Sequence, residues 1–308
     1  MNLTSPSQVK AWCIENGFHP NKTLGQNFLI DQNALKAIVD AGLEAREEVR
    51  GKRDEGRGED EPIRVLEIGP GMGVLTEELL KRGCEVTAIE KDPVLAGRLA
   101  ASLGNPPGLT VIPGDALDYL AAAKRCTACS VQRAACEAQT DESKNREIEK
   151  SINSFSCMVS NLPYQAGTRI LLELVEAREI PSMTVLVQTE VAERLAAKEG
   201  SKTRGLAGVW AQLDYDVKIV RKVAASCFWP RPAIGSTVVT LKRHDRNIDL
   251  SAEERKLFHS LTKRAFEHRR KQLGSVFKDM IQSTLRAEEL ANEDWINLVK
   301  GLMQNEDA

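Results

Sequence analysis

A large excess of charge of either sign is missing from this sequence. Its 42 Lys and Arg nearly cancel 44 Asp and Glu, for a net charge of -2. No global basicity therefore advertises a nucleic-acid partner, although a local basic face remains open, because binding follows where charge sits rather than its sum. Long apolar runs are missing too. No stretch approaches the ~20 consecutive apolar residues that a membrane helix needs, and Met1 to Pro20 lacks the basic start and apolar run of a secretory signal. The expectation is a cytoplasmic protein without membrane contact. Seven cysteines, an odd number, are scattered along the chain, which suits free thiols in a reducing compartment better than a disulfide framework. Cys126 and Cys129, with Cys136 nearby, show part of a zinc-site spacing. A structural zinc normally wants four ligands, often as two pairs; Cys157 offers a fourth sulfur, but no second pair exists. The four histidines show no paired spacing, so no metal is expected. No internal repeat of roughly 20–50 residues is present.

What is present is an ordinary globular composition, 42% apolar and 28% charged over 308 residues, enough for one large domain and a small one. Asp31 is placed to cap a helix whose apolar positions Leu35, Ile38 and Val39 recur at helical spacing. Glu44 to Glu61 is dense in charge and glycine and reads as a solvated loop or insertion. Short apolar runs then alternate with helical patterns. Strands are expected at Ile63–Ile68, Glu85–Ile89, Leu109–Ile112, Phe155–Ser160, Met183–Gln188, Trp210–Val223 and Ser236–Leu241. A polar excursion, Lys124 to Asn153, interrupts the rhythm, and everything beyond Leu250 reads helical. The alternation argues a doubly wound α/β sheet over residues 1–243, with insertions near 44–62 and 124–153, followed by a small all-helical domain over 244–308.

Four strand ends carry chemistry. Leu66-Glu67-Ile68-Gly69-Pro70-Gly71-Met72-Gly73 is a strand, a glycine turn and a helix start. Glycines allow positive φ and close backbone approach to a ligand, and the helix start adds a positive dipole end. The G-x-G-x-G spacing is not that of dinucleotide enzymes, and no Gly-Lys-Ser/Thr follows to make a phosphate loop. Glu90, about 20 residues on, is placed to accept both ribose hydroxyl protons of a nucleoside cofactor. Asp115, after the next strand, suits either an adenine amino group or a helix cap. Asn161-Leu162-Pro163-Tyr164 follows the fourth strand. An exocyclic adenine amine is a poor nucleophile, because its lone pair is delocalised into the ring. The Asn161 side-chain carbonyl and the Leu162 backbone carbonyl are suited to accept its two N–H groups, so that the nitrogen pyramidalises toward a methyl donor. Pro163 fixes the turn, and Tyr164 offers a face for stacking a flipped base. Such a site works by proximity and electrostatics and needs no strong general base.

With Lys22-Thr23-Leu24-Gly25-Gln26-Asn27-Phe28-Leu29, Glu190 to Leu195, Phe228-Trp229-Pro230-Arg231-Pro232 and the basic run Ala265 to Leu273, these motifs resemble the ribosomal RNA adenine N6,N6-dimethyltransferase family, in its bacterial small-subunit branch. The resemblance runs over roughly Lys22 to Leu273, excepting the two insertions. It implies a Rossmann-like class I S-adenosylmethionine methyltransferase domain with a small C-terminal helical domain. It also implies S-adenosyl-L-methionine as cofactor, held by Asn27, Leu29, Gly69, Glu90, Asp115 and Asn161, with Gln26 and Gly71 in the wall. The implied substrate is a pair of adjacent adenosines in a hairpin near the 3′ end of 16S rRNA, within an immature small ribosomal subunit. No obligate protein partner is implied. Three places depart from the family pattern: Ala224-Ala225, Gly235, and Gln165-Ala166-Gly167.

Arg264, Arg269, Arg270 and Lys271 are expected to place several cations on one helix, in reach of RNA phosphates. Lys242, Arg243 and Arg246 cluster just before that domain. Two other functions fit the same scaffold: a nucleic-acid-binding assembly factor, and a methylase of large-subunit rRNA. The intact Asn161-to-Tyr164 motif favours an enzyme over the first, and the basic C-terminal run with Ala192-Glu193-Arg194-Leu195 favours the small subunit over the second.

Overall fold

The computed structural model of the chain describes residues 2–50, 62–129 and 155–306. The first helix, α1 (Pro6–Glu15), and a two-residue strand, β1 (Phe28–Leu29), lead into α2 (Gln32–Arg50). The expected alternation follows: β2 (Arg64–Ile68), α3 (Val74–Lys81), β3 (Glu85–Glu90), α4 (Pro93–Ser102), β4 (Leu109–Pro113), α5 (Ala116–Cys129), β5 (Cys157–Asn161), the helix Gly167–Ala177 and β6 (Ser182–Gln188). Three later strands are β7 (Tyr215–Val223), β8 (Phe228–Trp229) and β9 (Ser236–Arg243).

Among the described residues, seven strands form one sheet in the order β4-β3-β2-β5-β6-β9-β7. The pairs from β4 through β6 are parallel, and β9 runs antiparallel to β6. Strands of such a sheet are covered on both faces and must be apolar throughout. Val65, Leu66, Val86, Ala88, Met158, Val159, Val185 and Leu186 meet that demand and are buried. The chain builds outward from β2 to β4, then returns to the centre for β5. The strand order thus reverses between β2 and β5, and ligands of open α/β sheets bind beyond the strand ends at such a point.

Helix α2 packs Leu35, Ile38 and Val39 into the sheet cluster with Val65, Val159 and Leu186. Asp31 caps it as expected, its Oδ1 accepting the Ala34 N–H at 2.7 Å. The loop expected from Glu44 is corrected: residues 44–50 continue the helix, because Ala45 and Val49 extend its buried face beneath the charged one. The rest of that segment, 51–61, lies outside the described residues. In the second insertion, α5 runs on to Cys129; Cys136 and the side chains of Cys126 and Cys129 lie outside the described residues. Cys157 is buried in β5.

The strand expected from Trp210 is also corrected. Residues Leu206–Asp214 form a helix, and β7 begins at Tyr215. Val209, Ala211 and Leu213 alternate like a strand, but Val209 and Leu213 are also one helical turn apart, and both enter a cluster with Phe258, Leu261, Phe277 and Trp295. The chain accordingly groups as one unit of residues 1–189 and 219–243 and a second of 190–218 and 244–308. This is not the linear division at 243 read from the sequence, since Glu190–Lys218 groups with the C-terminal helices. Within the second unit, the helix Ala252–Glu267 starts at a capping box of Ser251 and Glu254, worth about 1 kcal/mol. Buried Arg204 ties the Ala197 carbonyl, the Gln212 amide oxygen and the Asn292 amide oxygen together at 3.0, 3.2 and 2.9 Å.

Candidate active site

The C-terminal ends of β2, β3, β4 and β5 open into a single cleft. Every residue expected at the catalytic and cofactor positions lines it: Gln26, Asn27, Leu29, Gly69, Gly71, Glu90, Asp115, Asn161, Leu162, Pro163 and Tyr164. The glycine turn follows β2. Gly69, Gly71 and Gly73 have φ of 69°, 59° and 88°, a region costly for any side chain. A Cβ on Gly71 would also press on the Phe28 ring at 3.1 Å.

Glu90 organises the far side of the turn. One carboxylate oxygen accepts the Gly71 N–H at 3.0 Å and the other the Asp92 N–H at 2.8 Å. Asp92 in turn caps α4 through the Val94 N–H at 2.9 Å and receives the Gln26 side-chain N–H at 2.9 Å. Gln26 is therefore a strut between the N-terminal segment and α4. Burial pushes the Glu90 carboxyl above its ordinary range, against the pull of those backbone N–H groups. Asp115 behaves both as a cap and as a cleft residue. It accepts the Leu117 N–H at 2.9 Å and pairs with Lys91 at 2.8 Å, and the Lys91 bond holds its carboxyl below the usual range.

The Asn161-to-Tyr164 turn is held from several sides. Asn161 donates a side-chain N–H to the Asn27 carbonyl at 3.2 Å. A carbonyl can only accept, so this bond fixes which end of the amide is nitrogen and leaves the amide oxygen as the acceptor for a ligand. Asn27 is itself anchored to the Gly25 carbonyl at 3.0 Å. The Leu162 N–H binds the Leu186 carbonyl at 3.1 Å, and the Pro163 carbonyl accepts the Gly167 N–H at 2.7 Å. Two glycines make room: a Cβ on Gly25 would meet the Tyr164 nitrogen at 3.1 Å, and one on Gly167 the Leu162 Cβ at 3.0 Å. The departure at Gly167 thus has a packing reason. So does Gly235, where a Cβ would stand 3.2 Å from the Val223 carbonyl. The Tyr164 hydroxyl shares a hydrogen with Ser236 at 2.6 Å, which sets the ring plane, and burial raises the phenol above its usual value.

Sequence reasoning passed over Glu67. This side chain is 1% exposed, lines the cleft and accepts the Thr76 hydroxyl at 2.7 Å. A single carboxylate inside an otherwise apolar parallel strand was the signal that marked it. Burial, reinforced by nearby Glu90 and opposed by the Thr76 bond, pushes it up to about 8. The native chain then holds a proton that the unfolded chain releases at an ordinary glutamate value. Stability is full below that ordinary value and falls as pH rises toward the folded value. Glu67→Gln is therefore expected to be more stable than the parent near pH 8 by ~4 kcal/mol, with the difference closing in acid. Urea unfolding of both proteins across that range checks it; a gap independent of pH would remove the buried proton.

The charged residues lining the cleft are Glu67, Glu90, Asp115 and Lys91, and Lys91 is already paired. With Glu67 holding its proton, the negative charge comes from Glu90 and Asp115, and acceptors dominate the lining, which is a poor bed for phosphate and a good one for a cationic ligand rich in N–H and O–H groups.

The basic run is arranged differently from the expectation. The helix ends at Glu267, so Arg264 is helical while Arg269, Arg270 and Lys271 fall in the turn that follows. Arg264 lies over the Phe277 ring, 5.3 Å from its centroid, and donates to the Val276 carbonyl at 3.3 Å. Arg269 donates to the Lys202 carbonyl and stands 3.7 Å from Glu288. Arg270 and Lys271 are exposed. In the other basic group, Lys242 pairs with Glu48, Arg243 donates to the Arg178 carbonyl, and Arg246 pairs with Asp216 at 2.6 Å.

A family model described as ribosomal RNA adenine dimethylase matches residues 17–301. The chain is similar to a protein of Deinococcus radiodurans named ribosomal RNA small subunit methyltransferase A, 39% identical over 78% of this chain and 67% of the relative. A protein of the same name from Clostridium perfringens is 34% identical over 91% of this chain and 84% of its own. Among solved structures, a dimethyladenosine transferase from Plasmodium falciparum shares the fold, with a TM-score of 0.64 at 18% identity over 90% of this chain and 98% of that one.

Proposed function

The chain belongs to the ribosomal RNA adenine dimethylase family, and from that premise we propose how its cleft works and on what substrate. It is an S-adenosylmethionine-dependent methyltransferase of small-subunit (16S) rRNA adenine. The finer reading is that it dimethylates N6 of two adjacent adenosines in a hairpin near the 3′ end, within an immature small subunit in the cytoplasm.

The residues fit the cofactor. Glu90 offers acceptors to the ribose hydroxyls, Asp115 to the adenine amino group, and Gly69 and Gly71 let the backbone approach closely, with Gln26, Asn27 and Leu29 also in the wall. S-adenosylmethionine, when bound, supplies an electrophilic methyl group on a sulfonium. The chain's own part is to deliver the amine. The Asn161 amide oxygen and the Leu162 carbonyl accept the two N–H groups of the flipped adenine, Pro163 holds them in register, and the Tyr164 ring, fixed by Ser236, stacks on the base. The observation that carries the reading is the Asn161 amide: its nitrogen is committed to Asn27, so its oxygen is the end presented to an amine.

We assign phosphate contact in the second unit to Arg270 and Lys271, with Arg264 and Arg269 bracing the turn that presents them. Replacing Arg270 and Lys271 together by alanine is expected to weaken binding to small subunits and to lower the slope of log affinity against log salt by about 1.5. Cofactor affinity should not change. Titrations at several salt concentrations test this, and an unaltered slope would remove both residues from the RNA contact.

The reading as a whole is tested by incubating the protein with methyl-labelled S-adenosylmethionine and small subunits lacking adenine dimethylation, then mapping products by nucleoside mass spectrometry. Dimethyladenosine at an adjacent pair near the 3′ end is the expected product. Tight subunit binding without transfer would favour an assembly factor, and transfer confined to large-subunit RNA would overturn the substrate.

A further inference from the structure

The family match begins at residue 17, yet the cleft is lined from further back in the chain. Leu3 and Val9 stand in its wall together with Glu90 and Asp115. Both are buried, at 6% and 1% exposure. They pack with Phe28, Met72 and Leu95, and two of these place them in the cleft: Met72 belongs to the glycine turn, and Leu95 to the first turn of α4, which Asp92 caps. Leu3 and Val9 therefore flank the part of the cleft that Glu90 serves.

The segment is fastened there by more than one kind of contact. Trp12, Phe18, Phe28 and Trp229 form a chain of ring contacts with centroid spacings of 5.9, 6.2 and 6.5 Å. The Thr4 hydroxyl, bonded to the Asn2 amide oxygen at 2.8 Å, also lies 3.2 Å from the Gln32 amide oxygen, and Arg98 donates to the Asn16 amide oxygen. This anchoring sets the apolar face of α1 at the cleft.

The strand ends supply acceptors for the edges of a nucleoside, and Ile68, Ile89 and Ala116 line the cleft beside them; Leu3 and Val9 add apolar surface from a different part of the chain. A purine face seeks apolar surface, worth roughly 25 cal/mol per Å² removed from water. We propose that Leu3 and Val9 form the apolar wall against the nucleoside half of S-adenosylmethionine, which makes the segment ahead of the family match part of the binding site. This rests on reading the cleft as the S-adenosylmethionine site.

The test is calorimetric titration of the full-length chain with S-adenosylhomocysteine and with 5′-methylthioadenosine, which keeps the nucleoside half and lacks the amino-acid half. The parent is compared with Leu3→Ala/Val9→Ala and with Val9→Thr, a shape-preserving change that keeps the helix packed if the double variant does not fold. Circular dichroism establishes folding before each titration. Side chains that are 6% and 1% exposed have little surface left to give a ligand, so the expected result is a dissociation constant raised about twofold for the double variant and by no more than that for Val9→Thr, by the same factor for both ligands. Folded variants that bind both ligands as tightly as the parent overturn the wall. A loss confined to S-adenosylhomocysteine overturns its placement on the nucleoside half. A parent chain that binds neither ligand overturns the S-adenosylmethionine reading itself, and the wall with it.

Discussion

Asn161→Ala is expected to fold, to bind S-adenosylmethionine within about fivefold of the parent, and to lose about 10²–10³ in kcat. The asymmetry follows from what the amide does. Its nitrogen is spent on the Asn27 carbonyl at 3.2 Å, which positions the group. Its oxygen is the acceptor that gains strength as the amine nitrogen turns cationic, so its loss is felt in the transition state more than in the ground state. Asn161→Asp sharpens the point. It keeps an acceptor toward the amine but sets a second carboxylate oxygen against the Asn27 carbonyl, where the parent has a donor. It should fall between the parent and the alanine variant, with the loss easing in acid, where the carboxyl can donate in place of the amide. Single-turnover methylation of small subunits, with cofactor affinity measured separately, reads both variants. Parental turnover in Asn161→Ala would remove Asn161 from the chemistry.

The residues that were legible from sequence are those whose role is set locally. A short apolar run ended by Gly-x-Gly-x-Gly, by Glu90, by Asp115 or by Asn161 can be read without knowing what packs beside it. A parallel sheet then brings successive strand ends to one side, because each right-handed crossover returns the chain in the same direction. The cleft follows from that rule and from the strand order reversing between β2 and β5.

What was not legible depends on distant partners. Residues 44–50 look like a solvated loop because their charges are contiguous, and only the sheet beneath Ala45 and Val49 makes them helical. Val209, Ala211 and Leu213 satisfy both a strand and a helix period, and Phe258 and Trp295, about 50 and 80 residues on, decide between them. The intramolecular partners of Arg264 and Arg269, namely Phe277, Lys202 and Glu288, lie too far along the chain to be read from the basic run itself. Glu67 reads as an interruption of a strand until Thr76 and Glu90 surround it. In each case the pattern set which residues face inward, and the partner set what they do there.

Glu90→Gln carries the other large effect, because it changes one atom at the centre of a network. Both carboxylate oxygens already accept a backbone N–H, from Gly71 at 3.0 Å and Asp92 at 2.8 Å. Each keeps a further lone pair for a ribose hydroxyl. An amide has only one oxygen, so its NH2 must face either Gly71 N–H or Asp92 N–H, donor against donor, and one ribose hydroxyl loses its acceptor as well. A buried donor left unpaired costs about 1–3 kcal/mol. That cost is present with and without cofactor and so lowers stability, while the lost charge-assisted ribose bond, worth about 1.5–3 kcal/mol, raises the dissociation constant for S-adenosylmethionine by roughly 10–100-fold. Glu90→Asp preserves the charge but is too short to span both N–H groups, and it should lie between. The parent has a pH signature that the glutamine variant lacks. Burial holds the Glu90 carboxyl above its ordinary value, so protonation removes acceptors in mild acid and affinity falls there, while Glu90→Gln remains weak and flat. Calorimetric titrations in mild acid and at neutral pH separate the two profiles. If Glu90→Gln bound the cofactor as tightly as the parent at both, the ribose would have to be held by some other residue.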